Sequence, residues 1–290
     1  MIEPSGFKLN LQTVHDNKFQ QTALDLDEVR EKAGKEFNGL KNLLLENRIG
    51  AEIIKITDTL DTPDAVFPNN WFSTHENGTL VLYPMMAPNR RLERRPEIVK
   101  ALLARYPIHV DLSRSEERGL YLEGTGSIVI DNKNKKAYAS LSERTSSNLL
   151  YEWSKLMNIE TINFDAYDEQ GNPIYHTNVL LTIGNGFCIL CTASLRDLNE
   201  LRLIRKSLTE GGLEIIDISY EQMNNFCGNC LQLVNESEES YLVMSTRAFN
   251  AFTSEQKVQI EKFTKIIHTP LDMIESQGGG SARCMMAELF

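Results

Sequence analysis

What the chain lacks narrows its chemistry before any motif is considered. Its 290 residues contain no apolar run long enough to cross a bilayer as a helix, so no membrane partner is expected. Positive charge is in deficit: 30 Lys and Arg stand against 40 Asp and Glu, a formal net charge of −10. That balance speaks against a nucleic-acid footprint or an anionic membrane surface. Cysteine is sparse and odd in number, five in all, which suits a reducing compartment better than a disulfide framework. Residues 1–6 carry neither the basic nor the apolar region of a secretory signal, and a cytoplasmic location is the expectation. Gly124-Thr125-Gly126 lacks the rest of a dinucleotide fingerprint, and the triple glycine at 278–280 lacks the Lys-Ser/Thr of a phosphate loop, so no nucleotide cofactor is expected. What is present is a composition 41% hydrophobic and 24% charged, that of a globular protein with a full core and a small-molecule partner.

The C-terminal stretch Gly278-Gly279-Gly280-Ser281-Ala282-Arg283-Cys284 is the most unusual part of the chain. Three glycines permit tight turns and close approach, and a thiol follows at the head of an apolar run. This is a loop that delivers a cysteine. An incidental buried cysteine in a flexible tail fits less well, because tails are usually polar. Residues 284–290 are expected to form a covered strand.

Elsewhere the chain repeats one plan: two strands joined by a turn, a helix, and a further strand. The Asn77-Gly78 pair marks the first hairpin turn. Module starts at 70, 126, 178, 229 and 280 are separated by 56, 52, 51 and 51 residues. The fifth module has room for one strand only. An N-terminal strand over 6–13, a helix over 26–47 and a strand over 51–57 are the pieces it lacks. We therefore expect one α/β domain over residues 1–290, a five-module pseudo-symmetric propeller whose ring is closed by the N- and C-terminal segments.

Residues at the module starts would then line one cavity. They include Asp64, Asn69 and Asn70, then Glu123, His176 and Asn178, then Asn229, and finally Cys284. A thiol, an imidazole and two carboxylates supply a nucleophile, a general acid/base and acceptors for a polar cation. Taken singly, His176 reads as an ordinary histidine, Asp64 as a turn residue and Glu123 as a surface charge. Their shared phase in the repeat favours a site, and His15, His75, His109 and His268 do not share it.

Asp64-Ala65-Val66-Phe67 with Asn69-Asn70, Leu122-Glu123-Gly124, His176 and the glycine-rich loop ending in Cys284 resemble, in order and over nearly the whole chain, the guanidine-modifying superfamily. That superfamily holds arginine deiminases, dimethylarginine dimethylaminohydrolases and amidinotransferases. Leu-Glu-Gly-Thr-Gly paired with Gly-Gly-Gly-Ser-Ala-Arg-Cys is most similar to its bacterial citrulline-utilisation branch. The resemblance implies a five-module propeller (pentein) and a cysteine-dependent hydrolase of C–N bonds in linear amidines. Cys284 would attack the guanidino or ureido carbon, His176 would shuttle the proton, and Glu123 and Asp64 would accept substrate N–H groups. Arg90 and Arg144 resemble arginines that hold the substrate carboxylate. No metal or cofactor is implied. Where many relatives carry carboxylates this chain has Asn69, Asn70, Gly126 and Asn178, and amides donate as well as accept. Citrulline is thus as credible a substrate as arginine or a methylated arginine, amidino transfer is the alternative outcome, and homo-oligomerisation stays open.

Two readings compete from other classes. Cys188-Ile189-Leu190-Cys191 and Cys227-Gly228-Asn229-Cys230 have the spacing of zinc or redox pairs. In a strand, though, residues three apart face opposite sides, so Cys188 and Cys191 could not easily share a metal. A non-catalytic ligand-binding propeller would carry a cysteine of ordinary reactivity.

Overall fold

The computed structural model describes residues 1–14, 17, 19 and 25–290; His15 lies outside the described residues. The repeated plan is present four times. Strands β1 (Phe72–Thr74) and β2 (Thr79–Leu82) form an antiparallel hairpin, the helix Pro96–Arg105 crosses over, and β3 (Ile108–Asp111) returns parallel to β2. The same order recurs in β4 (Val129–Asp131), β5 (Lys136–Ser140) and β6 (Glu160–Phe164), around the helix Ser147–Met157. It recurs in β7 (Leu181–Ile183), β8 (Phe187–Leu190) and β9 (Glu214–Asp217), around the helix Leu198–Glu210. The last copy is β10 (Leu231–Val234), β11 (Ser240–Ser245) and β12 (Lys265–Thr269), around the helix Ser254–Glu261.

Each sheet has three strands with the second in the middle, and among the described residues the four sheets share no strand pairing. The central strands are covered on both faces, which is why β2 and β8 read as unbroken runs, Thr-Leu-Val-Leu and Phe-Cys-Ile-Leu, buried throughout. The crossover helices cover the sheets with one face. In Leu198–Glu210, capped by the Asp197 side chain on the N–H groups of Asn199 and Glu200, Ile204 and Leu208 are wholly buried. Each is worth about 1.5–3 kcal/mol of burial.

The terminal segments differ from expectation. No strand forms over 6–13 or 51–57; Ile2 and Ile54 make one parallel bridge, with Glu3 N–H donating to the Ile54 carbonyl at 3.0 Å, and the helix Leu26–Glu46 lies between them. Residues 11–14 form a turn in which the buried side chains of Asn10 and Thr13 fold onto Asp64. Such local hydrogen bonding competes with strand pairing and overrides the alternation. Residues 284–290 form no strand either: Cys284 N–H donates to the Ser281 carbonyl in a turn, and beyond it Thr74 Oγ1 donates to the Glu288 carbonyl at 2.8 Å. Ala282, Cys284, Met285 and Met286 pack with Val29, Phe37 and Leu40 of the first helix, so the two ends of the chain share one core.

The module starts are also not strands. Asn69 and Asn70 lie in the helical turn Pro68–Asn70, Gly126 in Gly124–Ser127 and Asn178 in Thr177–Val179, while turns cover 225–228 and 282–285. The repeat is therefore a repeat of tight turns, and the residues of the candidate site lie in them or next to them.

Candidate active site

Glu123 precedes the turn Gly124–Ser127 and is wholly buried. Its Oε1 accepts from the Met86 N–H at 2.9 Å, and its Oε2 lies 2.8 Å from His176 Nε2 and 3.6 Å from Arg144 Nη1. Burial alone would raise its pKa, but Arg144, the hydrogen bond and charge of His176, and Arg90 together bring it down to about 2. An ionised carboxylate only accepts, so Nε2 carries the imidazole proton and Nδ1 keeps its lone pair. For His176 burial outweighs the pull of Glu123 and lowers the pKa, which leaves the ring neutral at neutral pH. A Cβ on Gly126 would sit 2.9 Å from His176 Nδ1 and 2.4 Å from Asn70 Nδ2. Only glycine leaves the basic nitrogen accessible.

Cys284 is caged by two amides. Its Sγ lies 3.3 Å from Asn229 Nδ2 and 3.5 Å from both Asn178 Nδ2 and Asn229 Oδ1. Asn229 Nδ2 also donates to the Asn178 carbonyl at 3.0 Å, which locks the amide pair. N–H donors favour a sulfur anion and the amide oxygen accepts from a thiol, so the cage serves both protonation states. The loop is tied down by Ser281 Oγ donating to Glu275 Oε1 at 2.7 Å and by Tyr175, the neighbour of His176, donating to the Gly279 carbonyl at 2.9 Å.

Asp64 Oδ2 accepts from Asn10 Nδ2 at 2.7 Å and from Thr13 Oγ1 at 3.5 Å, while Asn69 Nδ2 donates to Thr125 Oγ1 at 3.2 Å. Burial pushes the Asp64 carboxyl up, against the attraction of Arg90 and the Asn10 hydrogen bond. Asp64 Oδ1, Asn69 Oδ1, Asn178 Oδ1 and Asn70 Nδ2 are buried with no hydrogen-bond partner among the described residues. Asn178 carries its unpartnered oxygen beside the thiol, and Asn70 meets the same face of Gly126 as the His176 ring, so unpartnered polar atoms border both reactive groups.

The family described as N,N dimethylarginine dimethylhydrolase, eukaryotic, matches residues 3–290. The chain belongs to this family. Among solved structures it is similar to the N-terminal domain of ArgZ covalently bound to a reaction intermediate, at 18% identity, TM-score 0.77, covering 99% of this chain and 95% of that one. Full-length ArgZ is described as an arginine dihydrolase from the ornithine–ammonia cycle in cyanobacteria; this chain spans 40% of its length, at 16% identity and TM-score 0.77, with all of this chain covered. A dimethylarginine dimethylaminohydrolase adduct with S-methyl-L-thiocitrulline matches at 13% identity and TM-score 0.66, covering 99% of this chain and 97% of that one. No curated protein matches the chain. The family match places the chain in the guanidino-modifying pentein superfamily, and the solved structures share its fold.

The two family-like arginines behave differently in this dimethylarginine-hydrolase relative. Arg144 stands over the Tyr175 ring at 5.0 Å and lines a cavity of ≈ 480 Å³ with Ser142, Tyr175 and Asp168, so it links Glu123 to solvent-accessible space. Arg90 is turned inward: Nε and Nη2 hold Glu93 at 2.9 and 3.1 Å, and Nη1 donates to Asn70 Oδ1 at 2.7 Å. Its contacts favour a role inside the protein over the direct carboxylate contact expected from sequence. Asn10, Glu93 and Tyr175 were not legible as site residues. Glu93 alone left a signal, its spacing of three from Arg90.

The four remaining cysteines are core residues. Cys188 and Cys191 belong to one apolar cluster with Cys227 and Cys230, and the Cys230 thiol donates to the Cys227 carbonyl at 3.3 Å. Burial pushes Cys188 up to about 12 and Cys191 up to about 11, and raises Cys227 and Cys230 further. Protonated thiols are poor metal ligands and poor nucleophiles.

Proposed function

We propose that the chain hydrolyses a C–N bond of the guanidino or ureido group of an arginine-related amino acid through a covalent adduct on Cys284. The ionised, buried Glu123 hydrogen-bonded to His176, set beside a thiol caged by Asn178 and Asn229, is the observation that carries this reading. The adduct and intermediate described for the ArgZ domain and the dimethylaminohydrolase support it. We infer further that residues 1–290 are a single domain in which the four sheets and the N-terminal segment close as five modules. The inner strands of all four sheets and the tail residues Ala287 and Glu288 line one common cavity of ≈ 400 Å³.

In the first step the thiol proton passes to His176 Nδ1 and sulfur attacks the central carbon. The protonated imidazole returns that proton to the departing amine, which leaves as ammonia or a methylamine. Water then attacks the adduct carbon and gives a proton to His176; the C–S bond breaks to release the product with the water oxygen on that carbon, and sulfur recovers its proton from His176. Asp64 Oδ1, Asn69 Oδ1 and Asn178 Oδ1 accept from the substrate N–H groups, and Asn70 Nδ2 donates to an oxygen or imine nitrogen on the same carbon. Arg144, which lines the cavity of ≈ 480 Å³, receives the substrate carboxylate. Product formation from arginine, methylated arginines, citrulline and agmatine, with Cys284→Ser and His176→Ala alongside, tests the reading. Turnover untouched by Cys284→Ser would sink it.

A further inference from the structure

Glu93 is wholly buried, and no step of the proposed reaction uses it. Its carboxylate grips Arg90 with both oxygens, Oε1 to Nε at 2.9 Å and Oε2 to Nη2 at 3.1 Å. The same guanidinium donates from Nη2 to the Phe67 carbonyl at 3.1 Å and from Nη1 to Asn70 Oδ1 at 2.7 Å, and its Nε is 3.9 Å from Asp64 Oδ2. A guanidinium only donates, so the amide oxygen of Asn70 must face Arg90. Nδ2 of Asn70 then points the other way, where it is buried without a partner among the described residues.

Charge points to the same residue. Asp64, Glu93 and Glu123 are three buried carboxylates, and Arg90 and Arg144 are two buried guanidiniums, with His176 neutral beside them. The next arginines on the segment face elsewhere: Arg91 and Arg94 pair with Glu116, and Arg95 with Asp58. Among these five described groups the carboxylates outnumber the guanidiniums by one, so the surroundings of Asp64 favour a cationic group. Without Glu93 the excess disappears, and Asp64 becomes the nearest carboxylate for Arg90.

We propose that Glu93 is a positioning residue for substrate recognition: by holding Arg90 it keeps that guanidinium from closing on Asp64, whose Oδ1 stays open to a cationic guanidino group. The inference rests on the hydrolase reading and deepens it, because it favours a charged guanidino substrate over a neutral ureido one at the binding step. Burial pushes Glu93 up to about 7 and raises Asp64, each against the attraction of Arg90, so a further cation beside them is favoured.

The test measures L-arginine binding by calorimetry on the Cys284→Ser chain, and kcat and KM on the chain with Cys284 intact. Glu93→Gln is expected to weaken binding and raise KM about tenfold or more, with kcat changed far less. Arg90→Gln combined with Glu93→Gln restores the charge balance and is expected to recover about threefold or more of that loss, which a merely structural role does not produce. Binding within about twofold of the parent in Glu93→Gln, or a double variant no better than the single one, overturns the assignment. If Glu93→Gln does not fold, Glu93→Asp decides: the shorter carboxylate loosens its two-point hold on Arg90 and is expected to raise KM about threefold or more with kcat changed far less, and an unchanged KM overturns the assignment. A parent that turns over citrulline but neither binds nor turns over arginine or a methylated arginine overturns the Glu93 assignment alone; turnover of no guanidino or ureido substrate overturns the hydrolase reading, and the assignment falls with it.

Discussion

His176 Nε2 lies 2.8 Å from Glu123 Oε2, with both side chains buried, and this contact decides which imidazole nitrogen can move a proton. Because Glu123 stays ionised down to about pH 2, the proton sits on Nε2 and chemistry falls to Nδ1. In Glu123→Gln the amide can present N–H to Nε2 and reverse the tautomer. A loss of about 10³-fold or more in kcat with a folded protein is expected, by the logic of carboxylate–histidine pairs in general. Steady-state rates with circular dichroism as control check it; a loss under about tenfold contradicts the pairing's role.

Gly126→Ala puts a methyl 2.9 Å from His176 Nδ1 and 2.4 Å from Asn70 Nδ2, so at least one of them must move. We expect kcat/KM to fall about 10²-fold while the melting temperature drops by only a few degrees, since misplacement of about 1 Å is enough. Wild-type kcat/KM in a folded Gly126→Ala variant contradicts the crowding.

His75 offers a stability prediction away from the site. Burial lowers its pKa from 6.5 to about 4, and its Nε2 lies 2.9 Å from Ser73 Oγ. The unfolded chain binds that proton first, so the contribution is fully present above pH 6.5 and is lost as pH falls towards about 4, a loss of about 2–3 kcal/mol. Urea unfolding across this range should show the decline, and His75→Gln should flatten it.

Much of the fold was written in the chain, and the parts that were not share a cause. Four strand–turn–strand–helix–strand copies were legible because central strands such as 187–190 are continuously apolar and the crossover helices are amphipathic. The turns at the module starts read as strand starts because Asn178 stands immediately before the apolar residues 179–181 and Gly126 one residue short of the apolar residues 128–130, and only tertiary contacts stop pairing there. Alternation over 6–13 failed because Asn10 and Thr13 serve Asp64 instead of a neighbouring strand. Cys284, His176 and Glu123 could be found from the repeat phase, whereas Glu93 acts through Arg90 and has no phase of its own.

Chelation gives a separate check on the cysteine pairs. With Cys188, Cys191, Cys227 and Cys230 buried as high-pKa thiols, extended dialysis against a strong chelator should leave activity and melting temperature unchanged. Loss of activity that zinc restores contradicts that reading.

The most direct measurement is intact-mass spectrometry of protein quenched in acid shortly after mixing with L-arginine. A mass increase that maps to the peptide carrying Cys284, and is absent from Cys284→Ser together with turnover, is the expected result. Ammonia release that continues undiminished in Cys284→Ser contradicts a thiol adduct.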